Sequence, residues 1–440
     1  MKKIPLIIGL GKTGVSLAKY LARSEESLYV LEQSPKDKYL KELKDLDVEL
    51  ILNPEISERT FKLISRIYPS PGVSMEHEAF KYARSLNIPI QSDIDLYLEN
   101  SQSYNILVTG TNGKTTTVSM LEHLLRGFFK DKSISAIGNI GKPVLDFLDK
   151  KLDIAIIEIS SFQIESSSRL NSDIGILLNI SQDHIDRHKD YSTYRSLKKR
   201  VLKDSKCRIT IDVHKVERKS FIDYKKVFKD EDFLKNPIFE NWPIHDIDNL
   251  KAALTALSVV QYENNRVTVN SHKGGSKPVL DEAFRIISSF KRQPHRFEII
   301  ENNSGVIYIN DSKATNIDAT LKAIDSSRTL NKESRIFLIC GGDLKGQKLD
   351  HNVFLNSRTS KFKEIEKCFI YGKDKELLND KLSNLTNCIC CEDLDSAYSL
   401  AEQESKKGDL ILLSPGCSST DMFSDYRERG DRFKELIQRT

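Results

Sequence analysis

Residues 108–117 have the sequence Val-Thr-Gly-Thr-Asn-Gly-Lys-Thr-Thr-Thr and lie between an apolar run and a segment with helical spacing. Ile106–Val108 predicts a buried strand, and Val118–Leu125 repeats apolar residues as one face of a helix does. Glycines at such a junction let backbone N–H groups surround a phosphate, whose charge the helix N-terminus favours. Lys114 is then expected to reach a terminal phosphate, and the Thr115 hydroxyl to ligate magnesium. The stretch predicts a nucleoside triphosphate site.

This phosphate loop is shorter than the common form, which has a glycine where this chain has Val108. The compressed pattern Gly110-x-x-Gly113-Lys114-Thr115 argues against the usual GTPases and motor ATPases. The alternative is a plain glycine turn carrying a surface lysine. The succession of strand, glycines, lysine and hydroxyls argues against that alternative.

Composition limits the classes of protein that fit. A chain of 440 residues with 39% hydrophobic and 30% charged residues predicts a globular protein of about three domains. The net charge of +4 comes without a basic stripe, so nucleic acid is not an expected partner. The sequence has no run of 18 apolar residues, which predicts no membrane span, and the first apolar run breaks at Gly9, too early for a secretion signal.

The cysteines favour a reducing compartment. Their number is odd, seven, and the group Cys388, Cys390 and Cys391 lacks paired C-x-x-C spacing. We therefore expect packing roles for them, with neither a disulfide framework nor a metal site, and a cytoplasmic location.

The order of predicted elements indicates an α/β fold with three domains. Residues 1–100 begin with a strand, a glycine turn, a helix and a second strand, as a Rossmann-like domain does. Residues 101–298 continue from the phosphate loop as a central mononucleotide-binding domain with a parallel sheet. Residues 299–440 repeat three units of strand and polar loop, which predicts a second Rossmann-like domain.

The N-terminal glycine turn has two interpretations. Gly9-Leu-Gly-Lys-Thr-Gly14 matches a dinucleotide fingerprint, and Glu32 stands where an acid for a ribose hydroxyl is expected. Any tight turn between a strand and a helix produces the same glycines, so the motif alone is weak. Further along, residues 88–95 predict a short strand and turn, and residues 99–103 a linker.

Polar residues follow two strands of the central segment. Glu158 comes after Asp153–Ile157, and Asn179 comes after Ile174–Leu178. Ligands of open parallel sheets bind beyond the carboxyl ends of the strands, and magnesium prefers oxygen ligands. Thr115 and Glu158 are thus candidate magnesium ligands.

Other charged residues leave their roles open. The spacing of His184 and His188 could suggest zinc, but no third nitrogen or sulfur ligand is evident nearby. The run 198–200, Lys-Lys-Arg, favours the solvated face of a helix. Arg296 lies at a domain boundary where a cation could meet phosphates, and Asp311 and Lys313 could face the same cleft.

Taken together, these motifs resemble the Mur ligases, enzymes of peptidoglycan synthesis, and most closely their D-glutamate-adding member. The resemblance covers essentially the whole chain. Its motifs are Gly110-Thr-Asn-Gly-Lys-Thr-Thr116, Gly138-Asn-Ile-Gly141, Glu158-Ile-Ser-Ser-Phe-Gln163, Asp183-His-Ile-Asp-Arg-His188, His295-Arg-Phe-Glu298, Asn310-Asp-Ser-Lys-Ala-Thr-Asn316 and Ser414–Phe423.

The resemblance implies ATP, magnesium (two ions) and the substrates UDP-N-acetylmuramoyl-L-alanine and D-glutamate, with a monomeric enzyme. It implies that Lys198 is carbamylated, which replaces the solvated-face interpretation. The implied ATP-binding residues are Gly110, Thr111, Asn112, Gly113, Lys114, Thr115, Thr116, Asn249, Arg296, Asp311 and Lys313. The implied metal ligands are Thr115, Glu158, His184 and Lys198, and the implied catalytic residues are Lys114, His184 and Lys198. UDP-sugar contacts are implied for Lys12, Thr13, Ser70 and Asn139, and D-glutamate contacts for Thr315, Lys345, Ser419 and Tyr426.

Some positions depart from the family pattern. Asp246 replaces the usual asparagine after His245, on the nucleotide side. Residues 32–34, Glu-Gln-Ser, differ from the trio often found near uracil. Gly416 stands where alanine is common, and Tyr426 where phenylalanine is common.

The implied mechanism transfers the terminal phosphate of ATP to a carboxylate, and an amine then attacks the acyl phosphate. His184 or a bound water would accept the amine's proton. The alternatives are a sibling Mur ligase or a folylpolyglutamate-type ligase, an NAD-dependent dehydrogenase that rests only on Gly9–Gly14, and a non-enzymatic ATP-binding switch.

Overall fold

The computed structural model describes residues 3–211, 221–240, 242–265, 277–346 and 359–439. Within these residues the chain forms three sheets in sequence order, each with helices against it. This confirms the predicted α/β fold class. Among the described helices, none combines the length and apolar character needed to cross a bilayer.

The N-terminal sheet is parallel, with strand order β3-β2-β1-β4. Its strands are β1 (Ile4–Ile8), β2 (Ser27–Leu31), β3 (Glu49–Leu52) and β4 (Ile64–Pro69). Its helices are α1 (Lys12–Leu21), α2 (Asp37–Leu43), α3 (Glu58–Phe61), α4 (Glu78–Ser85) and α5 (Asp93–Asn100). The turn into α1 leaves no room for a side chain at residue 14, since a Cβ on Gly14 would lie 2.1 Å from the carbonyl oxygen of Gly9.

The prediction of a strand and turn over residues 88–95 is wrong in its second half. Ile90 forms only an isolated bridge with Ile67, and the chain then enters α5. The Ser92 side chain accepts a hydrogen bond from the Asp95 backbone N–H, and the Asp95 carboxylate accepts one from the Ser92 N–H. This capping box starts a helix in the part of the segment that was predicted to be a turn. The predicted linker is accordingly shorter, since residues 99–100 belong to α5.

The central sheet is also parallel, with strand order β10-β9-β8-β5-β7-β6. Its strands are β5 (Tyr104–Thr109), β6 (Ile134–Gly138), β7 (Ile154–Glu158), β8 (Ser172–Leu177), β9 (Ser205–Thr210) and β10 (Phe221–Ile222). Its helices are α6 (Lys114–Phe128), α7 (Ser161–Ser166), α8 (Ile185–His188), α9 (Tyr191–Lys203), α10 (Tyr224–Val227), α11 (Asp230–Leu234), α12 (Ile244–Asn265) and α13 (Lys277–Ile287), with 3-10 turns at Val144–Lys150 and Pro237–Phe239.

β5 is buried on both faces. Ile106 and Val108 pack with the α6 and α12 side, and Leu107 packs into a second cluster that continues into the N-terminal domain. Burial on both faces explains its continuous apolar sequence. The phosphate loop follows β5 directly, so the position of β5 within the sheet places the loop near the middle of the sheet edge.

The C-terminal sheet has strand order β11-β12-β16-β13-β14-β15. Its strands are β11 (Glu298–Glu301), β12 (Ile307–Asn310), β13 (Ile336–Gly341), β14 (Lys367–Tyr371), β15 (Cys388–Cys390) and β16 (Leu410–Leu413). Its helices are α14 (Ile317–Leu330), α15 (Lys375–Leu382), α16 (Leu394–Glu404) and α17 (Tyr426–Gln438), with a 3-10 turn at Thr359–Glu364. Only the β11–β12 pair among these strands is antiparallel, so the other polar loops gather at one edge.

Candidate functional site

A cavity of about 780 Å³ lies beyond the carboxyl ends of the central strands, where the C-terminal domain faces them. Most of the predicted site residues line it. They are Thr111, Asn112, Gly113, Lys114, Thr115, Thr116, Asn139, Glu158, His184, Lys198, Asn249, Arg296, Asp311, Lys313, Thr315 and Tyr426. Six other predicted residues are not part of its lining, namely Lys12, Thr13, Ser70, Gly110, Lys345 and Ser419.

The phosphate loop has the backbone geometry that its glycines predict. Gly113 caps α6 with a φ of 85°, in the left-handed region, and a Cβ there would lie 2.2 Å from the Asn249 Oδ1 atom. The Lys114 Nζ atom donates to the carbonyl oxygens of Gly110 and Thr111, at 2.9 Å each. The loop therefore curls around its own lysine, and Asn249 of α12 closes one side of it.

Cations crowd this cleft. Burial lowers the pKa of Lys114, and the charges of Arg296 and Lys345 act in the same direction. Burial also lowers the pKa of Lys313 to about 7, helped by Arg296 and Lys114. Buried like charges are unfavourable unless an anion joins them. Lys114, Lys313 and Arg296 therefore favour an anionic ligand in their part of the cleft, although Glu158 and Asp183 oppose the pKa shift of Lys114.

Glu158 has one carboxylate oxygen free for a ligand. The residue is 2% exposed, and its Oε1 atom accepts a hydrogen bond from Asn139 Nδ2 at 2.7 Å. Its Oε2 atom is buried and has no hydrogen-bond partner among the described residues. A buried carboxylate oxygen without a partner is costly, and a cation would satisfy it. Glu158 thus fits the role of a magnesium ligand.

The zinc interpretation gains no support. His188 is buried, and its Nε2 atom is 3.0 Å from the Ser161 hydroxyl, as in a structural histidine. The described part of the chain contains no group of three or more His, Cys, Asp or Glu side chains suited to a metal ion. Magnesium differs because it retains water and phosphate oxygens as ligands, so a single protein carboxylate can suffice.

His184 is held in an unusual backbone conformation. Its φ is 53°, and its ring meets Phe162 edge-on with centroids 4.9 Å apart. Burial lowers its pKa to about 4, although Asp183 opposes this shift. The imidazole is therefore neutral at neutral pH, as a metal ligand must be. So low a pKa makes it a weak proton acceptor, which favours water in that role.

The solvated-face interpretation of Lys198 is wrong. The residue is 1% exposed, and its Nζ atom donates to the Gly110 carbonyl at 2.8 Å. Burial and then the charge of Lys114 lower its pKa well below the usual value for lysine. α9 directs this side chain beneath the phosphate loop, where its buried surroundings disfavour the charged form of the amine.

Several contacts join the phosphate loop to the C-terminal domain. The side chains of Asn112 and Asn316 exchange hydrogen bonds of 3.2 and 3.0 Å. Asn112 also donates to Asp318, and Lys345 Nζ donates to Asp183 Oδ1 at 2.8 Å. The sequence carries no signal for a role of Asp318, because nothing near it marks a partner two hundred residues away. Lys345 does not line the cleft itself, but it pairs with Asp183, which does.

The residues predicted for the UDP-sugar lie mostly in the N-terminal domain. Lys12 and Thr13 form the first turn of α1, and the buried Ser70 hydroxyl donates to the Gly9 carbonyl at 2.7 Å. The Glu32 carboxylate accepts the Leu10 backbone N–H at 2.9 Å. Glu32 is thus already bonded to the glycine turn, which weakens its assignment to a ribose hydroxyl.

Gly416 departs from the family pattern for a local reason, and the ring of Tyr426 makes a contact that phenylalanine would also allow. Gly416 has a φ of 69°, and a Cβ there would lie 2.9 Å from Ile317 Cδ1, so alanine would be strained in this chain. The Tyr426 ring lies 4.0 Å from Lys313 Nζ, a cation–π distance. Ser419, which is predicted to contact D-glutamate, is buried, with 3% of its surface exposed.

Another departure from the family pattern, Asp246, leads to a prediction about stability. Its carboxylate is buried and pairs with Arg292 at 3.2 Å. We expect Asp246→Asn to lower the free energy of unfolding by about 2–3 kcal/mol, because the largely buried ion pair with Arg292 is broken. Urea titration of both proteins measures the difference.

Asp248→Asn is the matched control, two residues along the same helix. Asp248 pairs with the exposed Lys225, so its loss should cost under about 1 kcal/mol. Equal stability of Asp246→Asn and the parent protein would contradict the prediction.

Three family models match the chain in order. They are the Mur ligase MurD-like N-terminal domain over residues 3–92, the Mur ligase middle domain over residues 108–234, and the Mur ligase glutamate ligase domain over residues 295–417. Solved structures share the fold. A pseudomurein peptide ligase type C from Methanothermus fervidus has a TM-score of 0.56 at 16% identity, covering 99% of both chains. A MurF ligase from Thermotoga maritima in complex with ADP has a TM-score of 0.55 at 15% identity, covering 100% of this chain and 99% of that one.

Curated relatives match over nearly their whole length. The UDP-N-acetylmuramoylalanine--D-glutamate ligase of Francisella philomiragia is 31% identical over 443 residues, which cover 98% of this chain and 96% of the relative. The protein of the same name from Buchnera aphidicola subsp. Acyrthosiphon pisum (strain Tuc7) is 34% identical over 475 residues, covering 99% and 98%. The resemblance found in the motifs is confirmed, and the chain belongs to the Mur ligase family.

Proposed function

We propose that this protein joins D-glutamate to UDP-N-acetylmuramoyl-L-alanine with hydrolysis of ATP to ADP and phosphate, in peptidoglycan precursor synthesis. One observation supports the proposal most directly: a single cleft gathers the phosphate loop, an unpartnered Glu158 oxygen, the buried Lys198 and the cations Arg296 and Lys313. The names of the curated relatives supply the substrates.

The reaction proceeds in two steps. An oxygen of the substrate carboxylate attacks the terminal phosphorus of ATP, the bond to ADP breaks, and an acyl phosphate forms. Lys114 lies where the charge on the transferred phosphoryl group develops, and the backbone N–H groups of the loop hold the phosphates. The amine of D-glutamate then attacks the acyl carbon, phosphate leaves, and water takes the amine's proton.

Magnesium, when bound, would neutralise phosphate charge and align the reacting oxygens. We propose two ions, with Thr115, Glu158, His184 and a carbamylated Lys198 as protein ligands. Burial lowers the pKa of Lys198 and so favours the unprotonated amine, which supports carbamylation because only an unprotonated amine adds carbon dioxide. The added carboxylate would supply a second acidic ligand beside Glu158.

The other assigned residues divide among the three domains, for which we propose the boundaries 1–100, 101–298 and 299–440. The first domain would bind the UDP-sugar through Lys12, Thr13 and Ser70, with Asn139 contributed by the central domain. The central domain would bind ATP, joined by Asp311 and Lys313 from the third. The third domain would bind D-glutamate through Thr315, Lys345, Ser419 and Tyr426.

The assignment of Lys345 gives a measurable prediction. We expect Lys345→Met to raise the KM for D-glutamate by about 10- to 100-fold, because a charge-assisted hydrogen bond to a carboxylate is lost. Steady-state assays that vary each substrate separately measure the change. The KM for ATP should change much less.

Lys373→Met serves as the control. Lys373 is an exposed lysine of the same domain that pairs with Asp343 at 2.9 Å, and its loss should leave both KM values unchanged. If Lys345→Met altered the KM for ATP and spared that for D-glutamate, the assignment of Lys345 would be wrong.

A direct assay tests the whole proposal. Protein is mixed with ATP, magnesium, UDP-N-acetylmuramoyl-L-alanine and D-glutamate, and the joined product is sought by mass spectrometry. Product with L-alanine, diaminopimelate or folate substrates, but not with D-glutamate, would indicate a sibling or folylpolyglutamate-type ligase. ATP binding without any product would indicate a nucleotide switch. A monomeric state and a cytoplasmic location stay predictions, the first of which sedimentation analysis can test.

A further inference from the structure

Three cysteines form a row across neighbouring strands of the C-terminal sheet. Cys340 lies on β13, Cys368 on β14 and Cys388 on β15, the edge strand, and all three pack in one apolar cluster. The Sγ atoms of Cys340 and Cys368 are 3.3 Å apart. Cys368 and Cys388 are register partners on adjacent strands, and the Cys388 thiol donates to the Thr386 carbonyl at 3.5 Å. The row therefore places Cys368 next to a cysteine on each side.

The row is accessible at one end only. Cys340 and Cys368 are 3% and 0% exposed, whereas Cys388 is half-buried at the sheet edge. The hydrogen bond from Cys368 lowers the pKa of Cys388. Burial instead raises the pKa of the exposed Cys390 and raises that of Cys391 to about 11. Since the thiolate is the reactive form, Cys388 is the most nucleophilic of the three cysteines 388, 390 and 391.

The geometry permits a covalent link between the partners. Neighbouring strands lie about 4.8 Å apart, and disulfides form between Cα atoms about 4.4–6.8 Å apart. Cys368 and Cys388 stand directly opposite each other on such strands. The Cα spacing of such a pair lies within the range found for disulfides.

We propose that this row is a peroxide-sensitive modification site, in which Cys388 is oxidised first and Cys368 resolves it to a disulfide. The Cys388 thiolate attacks one oxygen of hydrogen peroxide, the O–O bond breaks, and the leaving hydroxide takes up a proton to become water. Cys368 sulfur then attacks the sulfenic sulfur, and a second water leaves with the Cys368 proton. In total, two thiols and one peroxide yield one disulfide and two waters. Thiol exchange with Cys340 can then shift the disulfide inward and free Cys388.

Peptide mapping tests this proposal. The full-length reduced protein is treated with a few molar equivalents of hydrogen peroxide, free thiols are blocked, and unreduced digests are analysed by mass spectrometry. We expect linked peptides that join Cys368 to Cys388, or Cys368 to Cys340 after exchange. Cys388→Ser should abolish the first link and slow oxidation of Cys368 by about tenfold or more, because the accessible thiolate is gone.

Cys390→Ser is the matched control, since Cys390 is on the same strand, two residues on, and more exposed. It should leave the linked peptides unchanged. Cys368→Ser should instead leave Cys388 as a sulfenic acid that dimedone traps, and this measurement needs no disulfide. The proposal is overturned if Cys390 alone is oxidised, or if the link between Cys368 and Cys340 forms at the same rate in Cys388→Ser as in the parent protein.

Discussion

Lys114→Met is expected to lower kcat by about 10³-fold or more, because the charge that stabilises the moving phosphoryl group is lost. The side chain lies at the start of α6, where its Nζ atom is held by two carbonyl oxygens of the phosphate loop. Methionine keeps most of the volume and removes only the charge and its hydrogen bonds. Release of phosphate from ATP in the presence of both other substrates measures the effect.

Lys130→Met provides the comparison for this loss. Lys130 is exposed and lies two residues beyond the end of the same helix, so its replacement should leave kcat unchanged. Nucleotide binding to Lys114→Met, measured by calorimetry, separates a loss of chemistry from a loss of folding. A variant that keeps phosphate release within a few-fold of the parent would show that Lys114 does not act on the phosphoryl group.

The phosphate loop could be predicted because all its determinants are local. A strand, a glycine in the left-handed region and a helix N-terminus follow one another within ten residues, and each leaves a mark in the sequence. The contact between Gly113 and Asn249 is different. It depends on how α12 packs against α6, and no short pattern encodes that packing.

Lys198 shows why a charge run misleads. Three consecutive basic residues satisfy the pattern of a solvated helix face, yet successive helix positions point in different directions. Lys198 turns inward under the loop that follows β5, and Lys199 and Arg200 stay only partly buried. Family resemblance corrected the interpretation, whereas the residue types alone could not.

The start of α5 has a local signal in the sequence, since Ser92 and Asp95 have the spacing of a capping box. The same segment also fits a short strand followed by a turn, so the signal competes with another local pattern. The pairs Asn112–Asn316 and Asp183–Lys345 could not be predicted from a local pattern. They join two domains, so only the docked structure specifies them.

Lys198→Met is expected to reduce kcat by about 10²- to 10³-fold, through loss of a metal-binding carboxylate. The parent lysine is buried, and burial lowers its pKa well below the usual value for lysine, which favours the unprotonated form that adds carbon dioxide. If the carbamate forms, removing bicarbonate from the parent enzyme should lower its activity reversibly. The same treatment should not change the residual activity of Lys198→Met.

Lys203→Met is the control on the same helix, since Lys203 is exposed in its last turn and should affect neither activity nor bicarbonate dependence. Native mass spectrometry adds a readout that is independent of turnover. The parent and Lys203→Met should each carry one added carbon dioxide, and Lys198→Met should carry none. Full activity of the parent without bicarbonate and without that added mass would show that the amine itself, buried against the Gly110 carbonyl, is the working group.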